Sequence, residues 1–169
     1  MSILTKNEIL KEIKKKNIKI EPFVKDNVGP GSVDLRLSNK FRVFRNLRNT
    51  LDVTEKLNYR DLSDLVIAKS IIVKPGETIL GITKEKITLA PNLCGWLEGR
   101  SRFARLGLLV HISASFMQPG VSNQQVLEIS NMGNAPLRLH TGTKICQFIF
   151  QNTIGEARYK GKFVEQTEP

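Results

Sequence analysis

Apolar residues recur at helical spacing near the start of this chain, where Ile9, Leu10 and Ile13 lead into Lys14-Lys15-Lys16. Thr5-Lys6-Asn7-Glu8 reads as a capping box, with the Thr5 hydroxyl on the first turn and Glu8 reaching back. The lysine run complements the negative end of the macrodipole. One short helix over about residues 5–16 is predicted.

Beyond it the period changes to two. Ser32-Val33-Asp34-Leu35-Arg36-Leu37 alternates apolar and polar, and Phe41-Arg42-Val43-Phe44-Arg45 follows across an Asn-Lys turn. Residues 46–64 are polar and turn-like, a surface excursion. Ile71-Ile72-Val73 and Thr78-Ile79-Leu80-Gly81-Ile82 read as strands joined by the turn Lys74-Pro75-Gly76-Glu77. Further strand candidates cover 86–90, 93–98, 108–115, 124–131, 136–140 and 145–151. Short strands at this spacing predict an all-β sandwich or barrel. The 169 residues suit a single domain, 1–169, with a mobile C-terminal tail over about 155–169.

The composition, 40% hydrophobic and 25% charged, is that of a globular chain. With no signal-peptide core and no apolar stretch of the roughly 20 residues a span needs, a cytoplasmic protein is expected, without a membrane role. The two cysteines, Cys94 and Cys146, sit in apolar segments and read as buried free thiols. A formal charge of +10 points to an anionic partner, either nucleic acid or a phosphorylated small molecule.

Two segments carry candidate chemistry. Gly99-Arg100-Ser101-Arg102-Phe103-Ala104-Arg105-Leu106-Gly107-Leu108 gathers guanidinium forks, a hydroxyl and a flexible backbone, a set suited to polyphosphate. The plainer reading is a basic surface turn. In Val126-Leu127-Glu128-Ile129, Val126 and Glu128 share one face of a strand and Leu127 and Ile129 the other. Glu128 is then either an ordinary solvated residue or a partly buried one whose raised pKa suits acid–base work. His111 and His140 lack metal-ligand spacing and read as packing or hydrogen-bonding residues. The His-x-Glu and Pro-Cys-x-x-Cys pair of zinc deaminases is missing, as are Walker and dinucleotide glycine signatures, so no zinc is expected. Mg²⁺ is expected only on the phosphates of a substrate.

The opening helix, Gly31-Ser32-Val33-Asp34-Leu35-Arg36-Leu37-Ser38-Asn39-Lys40-Phe41-Arg42-Val43-Phe44, the arginine turn, His111-Ile112-Ser113-Ala114, Pro119-Gly120 and Val126-Leu127-Glu128 together resemble the dCTP deaminase family. That family is related to the trimeric dUTPases and includes bifunctional dUMP-forming members. The resemblance implies a mainly β fold, a distorted jelly-roll-like barrel of dUTPase type with a short N-terminal helix. It also implies a homotrimer with active sites between subunits, and deamination without a metal-bound water. Carried onto this chain, Glu128 is the general acid/base acting at C4 of cytosine. Ser101 and the Ala114 carbonyl hold the water, and Arg105 stabilises charge beside Glu128. Arg100, Ser101, Arg102, Phe103, Ala104, Arg105, Gln118, Val126, Leu127, Arg158 and Lys162 are the implied substrate-binding residues.

Three positions depart from the family pattern. Arg102 stands where a second serine is usual, Gln118 replaces an Asp, and the loop before Ala157-Arg158-Tyr159-Lys160-Gly161-Lys162 is short. A Gln bonds a sugar hydroxyl but cannot act as a base. Three functions follow from the sequence: deamination of dCTP to dUTP and ammonia, with or without cleavage to dUMP and pyrophosphate; dUTP cleavage alone; or a non-catalytic basic module that binds nucleic acid or a regulated partner. Glu128 favours the first, Gln118 speaks against the second, and the scarcity of aromatics among the basic residues speaks against the third.

Overall fold

A computed structural model describes residues 2–46, 49–111, 113–161, 163, 164 and 166–169. Ile112 and Lys162, both named above, lie outside the described residues. The predicted helix is α1 (Lys6–Lys14), with Ile9 wholly buried and Leu10 and Ile13 packed on the core. Its capping box does not form: Thr5 makes no side-chain cap, and Glu8 pairs with Lys11 Nζ at 2.7 Å. The first turn is satisfied from a distant loop instead, as Lys6 N–H donates to the Pro30 carbonyl at 2.8 Å.

Twelve strands follow: β1 (Ile18–Glu21), β2 (Val33–Arg36), β3 (Lys40–Phe44), β4 (Ser63–Ile67), β5 (Ser70–Val73), β6 (Thr78–Leu89), β7 (Leu93–Gly99), β8 (Leu108–Val110), β9 (Phe116–Met117), β10 (Ser122–Asn131), β11 (Leu137–His140) and β12 (Lys144–Asn152). A single turn, α2 (Ser101–Ala104), separates β7 from β8. A six-stranded sheet runs β4-β3-β6-β10-β8, with β1 also pairing on β6. A four-stranded sheet runs β2-β12-β7-β9, and β5 and β11 form a ribbon. The sheets do not close into a barrel. They enclose one apolar core, with Phe41, Phe148 and Phe150 among its largest side chains. The fold is therefore a distorted β-sandwich.

Two departures from the periodicity have tertiary causes. Strands β5 and β6 are joined by the Pro-Gly turn but do not pair with each other, because Asn131 of β10 holds the turn. Its carbonyl accepts from Gly76 N–H at 2.8 Å, and its buried amide donates to the carbonyls of Val73 and Ala135, each at 2.9 Å. The segments 78–82 and 86–90 are one strand interrupted by a bulge, since Gln124 pairs with Lys86 while Val126 pairs with Ile82. Thr83 sits in the bulge, donating to Glu85 O at 2.8 Å and accepting from Gln125 N–H at 2.9 Å. The bulge turns Glu85 inward onto Arg36, which donates Nε to Oε1 at 2.6 Å.

Cys94 and Cys146 are free and buried. Burial raises both thiols above their usual range. No helix among the described residues is long and apolar enough to cross a membrane.

Candidate active site

A pocket of about 510 Å³ lies over β10 and the neighbouring part of β6, and Glu128 is on its wall. The alternation read from the sequence holds here. Leu127 and Ile129 are fully buried in the core, while the Glu128 side chain is 38% exposed on the opposite face.

Strand β8 ends at Val110 rather than running to 115, because His111 adopts a left-handed backbone with φ 54°. That turn carries the imidazole over Glu128. His111 N–H donates to the Glu128 carbonyl at 2.8 Å, Nε2 is 3.0 Å from the Ala114 carbonyl, and Nδ1 is 2.7 Å from Glu128 Oε2. A carbonyl oxygen only accepts, so Nε2 carries a hydrogen. Nδ1 and Oε2 are both buried, and among the described residues neither has a hydrogen-bond partner of good geometry, so the contact between them is a close ion-pair approach. Burial pushes the Glu128 carboxyl up, but contact with His111 and its charge pull it down. His111 wins, and the carboxyl lies below its ordinary range. The raised value expected from partial burial is thus corrected by a neighbour that the spacing did not reveal.

The structure brings Ala114, Gln118 and Val126 to the same pocket as Glu128. The Leu127 side chain points into the core, so any part it takes in binding is through its backbone. The arginine turn stands elsewhere on the chain. In the β8–β10 register Leu108 lies opposite Asn131, which puts α2 beyond that end of β10, and none of residues 100–105 lines the pocket. Ser101, Arg102, Ala104 and Arg105 are exposed, and among the described residues no acidic side chain pairs with Arg102 or Arg105. Phe103 packs on the core. Arg100 is already engaged, with its guanidinium 3.3 Å from Asp34 Oδ2 and donating to the Lys144 carbonyl at 3.0 Å. Arg158 is exposed and packs its backbone and stem over Gly120, whose φ of 72° and lack of a side chain allow the crossing.

Several pocket residues escaped the sequence reading. His111, expected as a packing or hydrogen-bonding residue, does hydrogen-bond, but its contact with Glu128 has no signal in the spacing. Phe116 and Asn123 flank the expected motifs, and Phe44 and Tyr59 come from segments distant in sequence. Tyr159, Phe163 and Gln166 come from the segment expected to be a mobile tail. In the structure its described residues lie along the body: Tyr159 N–H donates to Pro119 O at 2.8 Å, and Asn123 Nδ2 to Phe163 O at 2.6 Å. Among the described residues no three His, Cys, Asp or Glu side chains gather closely enough to hold a metal ion.

An open β-sandwich with a carboxylate–imidazole pair at the wall of an amide- and aromatic-lined pocket, plus an exposed arginine turn, is an arrangement able to move protons and to receive an anion, as an enzyme's site can. The chain belongs to the dCTP deaminase-like family, whose model matches residues 3–153. It is 43% identical over 161 residues to a Mycolicibacterium vanbaalenii protein named dCTP deaminase, dUMP-forming, covering 93% of this chain and 84% of that one. A protein of the same name from Corynebacterium glutamicum is 41% identical over 153 residues, covering 88% and 80%. A dCTP deaminase of Marinomonas is 39% identical over 181 residues, covering 97% and 93%. The crystal structure of the 2'-deoxycytidine 5'-triphosphate deaminase from Agrobacterium tumefaciens shares the fold, with a TM-score of 0.69 at 21% identity. The match covers 89% of this chain and 48% of that one.

Proposed function

We propose that this protein deaminates dCTP to dUTP and ammonia and carries the product on to dUMP and pyrophosphate. The observation that carries the reading is the His111–Glu128 pair set beside the Ala114 carbonyl in one pocket. The dUMP-forming relatives at 41–43% identity support the second step.

The Glu128 carboxylate takes a proton from a water held near Ala114 as the water oxygen bonds to C4 of cytosine. Glu128 passes that proton to N3 and then carries the proton of the new C4 hydroxyl to the amino group, so that the C4 carbonyl forms as the C4–N bond breaks and ammonia leaves. His111 keeps the carboxyl ionised and ready to accept, and holds the Ala114 carbonyl in place. Gln118 is neutral and bonds the sugar without acting as a base.

The triphosphate arrives with Mg²⁺ and meets Ser101 and Arg102 of a neighbouring subunit in a homotrimer, and that subunit's Arg105 stabilises charge beside Glu128. This reading is supported by the exposed, unpaired arginines and by their distance from Glu128 within one chain. Arg100 holds the turn in place through Asp34 rather than touching phosphate. The work is done in the cytoplasm.

The experiment is incubation of the pure protein with dCTP, and separately dUTP, in Mg²⁺, with products resolved by ion exchange. Formation of dUMP from both substrates is expected. Accumulation of dUTP would limit the enzyme to deamination, and turnover of dUTP alone would make it a dUTPase. Turnover of neither would overturn the proposal.

A further inference from the structure

Arg42 is a charged side chain only 9% exposed, and among the described residues no carboxylate side chain pairs with it. A guanidinium taken out of water needs acceptors for its donors, or it destabilises the fold. Two are supplied locally by Ser63, whose carbonyl and hydroxyl accept from Nη1 at 3.3 and 3.5 Å. The shortest contact comes from much further away: Nε donates to the main-chain oxygen of Pro169 at 2.6 Å.

The place of Arg42 in the sheet gives this contact a consequence. Arg42 of β3 and Glu128 of β10 are both directly opposite Leu80 of β6. Directly paired residues project from the same face, so Arg42, Leu80 and Glu128 form one row on the pocket side of the sheet. Lys40 and Phe44 share the Arg42 face of β3 by the same alternation. Phe44 lines the pocket, while Lys40 Nζ donates to Thr167 O at 3.3 Å and lies 3.8 Å from Glu168. At the other side of the pocket Gln124 N–H donates to Gln166 O at 3.1 Å. The C-terminal segment is thus pinned at both ends of its path over the pocket, on β10 and on β3.

We infer that Arg42 is a positioning residue: with Lys40 it latches the C-terminal segment onto the pocket face of the sheet. The latch rests on contacts of this chain alone and holds whether or not the proposed deamination is correct. Of its two cations Arg42 dominates, because it is buried and its hydrogen bond is charge-assisted, whereas the exposed Lys40–Glu168 pair contributes little.

The test is hydrogen–deuterium exchange on the full chain without nucleotide, comparing wild type with Arg42→Met, which keeps the apolar stem and removes the donors. Peptides covering 157–169 and the Gln124 amide should exchange about tenfold faster or more in the variant, while peptides of β6 and β12 keep their protection. Lys40→Met should change the tail less than Arg42→Met. Equal tail protection in Arg42→Met and wild type, with the core intact, overturns the latch. If Arg42→Met loses its core protection, a chain ending after Gln166 decides, since it removes the Pro169 oxygen without touching the body. Loosening of residues 157–166 in that chain supports the latch, and unchanged protection refutes it. Turnover is not needed for any of these readouts, so failure of the latch and failure of the proposed function are separate results.

Discussion

His111 and Glu128 are joined twice: their main chains share a 2.8 Å hydrogen bond, and their side chains meet at 2.7 Å between Nδ1 and Oε2. The first contact requires β8 to lie beside β10, and the second requires the left-handed backbone at His111. A histidine in that conformation is uncommon and costs roughly 1–3 kcal/mol, which the surrounding pairing must offset. The reward is a carboxylate held ionised in a half-buried site.

Glu128→Gln keeps the shape of the side chain and removes its capacity to carry a proton. Turnover of dCTP should fall by about a hundredfold or more, with dCTP binding changed only severalfold. Single-turnover kinetics alongside equilibrium binding make the check, and near-normal turnover would reject Glu128 as the acid/base.

His111→Asn removes the neighbour that outweighs burial at Glu128. The carboxyl, now lowered, should rise, so the acid limb of kcat/KM against pH moves to higher pH. The stability that the depressed carboxyl contributes is present above its unfolded-state pKa and is lost as pH falls through the lower folded value. Acid unfolding of the variant should therefore show less dependence on this group. An acid limb that stays in place would show that His111 does not set the ionisation of Glu128.

Arg105→Ala should lower turnover by about a hundredfold if it stabilises charge beside Glu128. Because Arg105 is not at the pocket of its own chain, subunits carrying Arg105→Ala and subunits carrying Glu128→Gln should complement each other. Co-expressed with two different affinity tags and purified as mixed oligomers, they should recover measurable activity where either alone has little. No recovery would place the whole site within one chain.

Asn131→Ala empties a fully buried position that donates to Val73 O and Ala135 O and accepts from Gly133 N–H. Two carbonyls and one amide lose their partners, so urea unfolding should show a loss of about 3 kcal/mol. A loss under about 1 kcal/mol would show that the β5–β6 turn does not depend on this side chain.

Local pattern carried much of the fold and part of the site. The spacing of Ile9, Leu10 and Ile13 was enough for α1, strict alternation was enough for β2 and the two faces of β10, and the apolar run with its flanking turn was enough for β3. Alternation failed where pairing was irregular. The bulge at Thr83–Glu85 buries polar side chains and hides the continuity of β6, and Ile18–Glu21 is too short a run to stand out until it pairs with β6. Glu128 could be singled out as a carboxylate in an apolar strand. Its ionisation could not, since that depends on a histidine in the turn after another strand.

From the sequence alone came the mainly β class, the N-terminal helix, the buried thiols, the family motifs and the face on which Glu128 stands. These rest on the period of apolar residues and on contiguous motifs, which any segment reveals by itself. Only the tertiary structure decided that the sandwich stays open, that His111 sits against Glu128, that the arginine turn lies away from the pocket of its own chain, and that the tail rests on β3. Each of these depends on the pairing of segments far apart in the chain, 127 residues apart for Arg42 and Pro169. Such pairings are chosen by the packing of the whole core, and no local pattern records them.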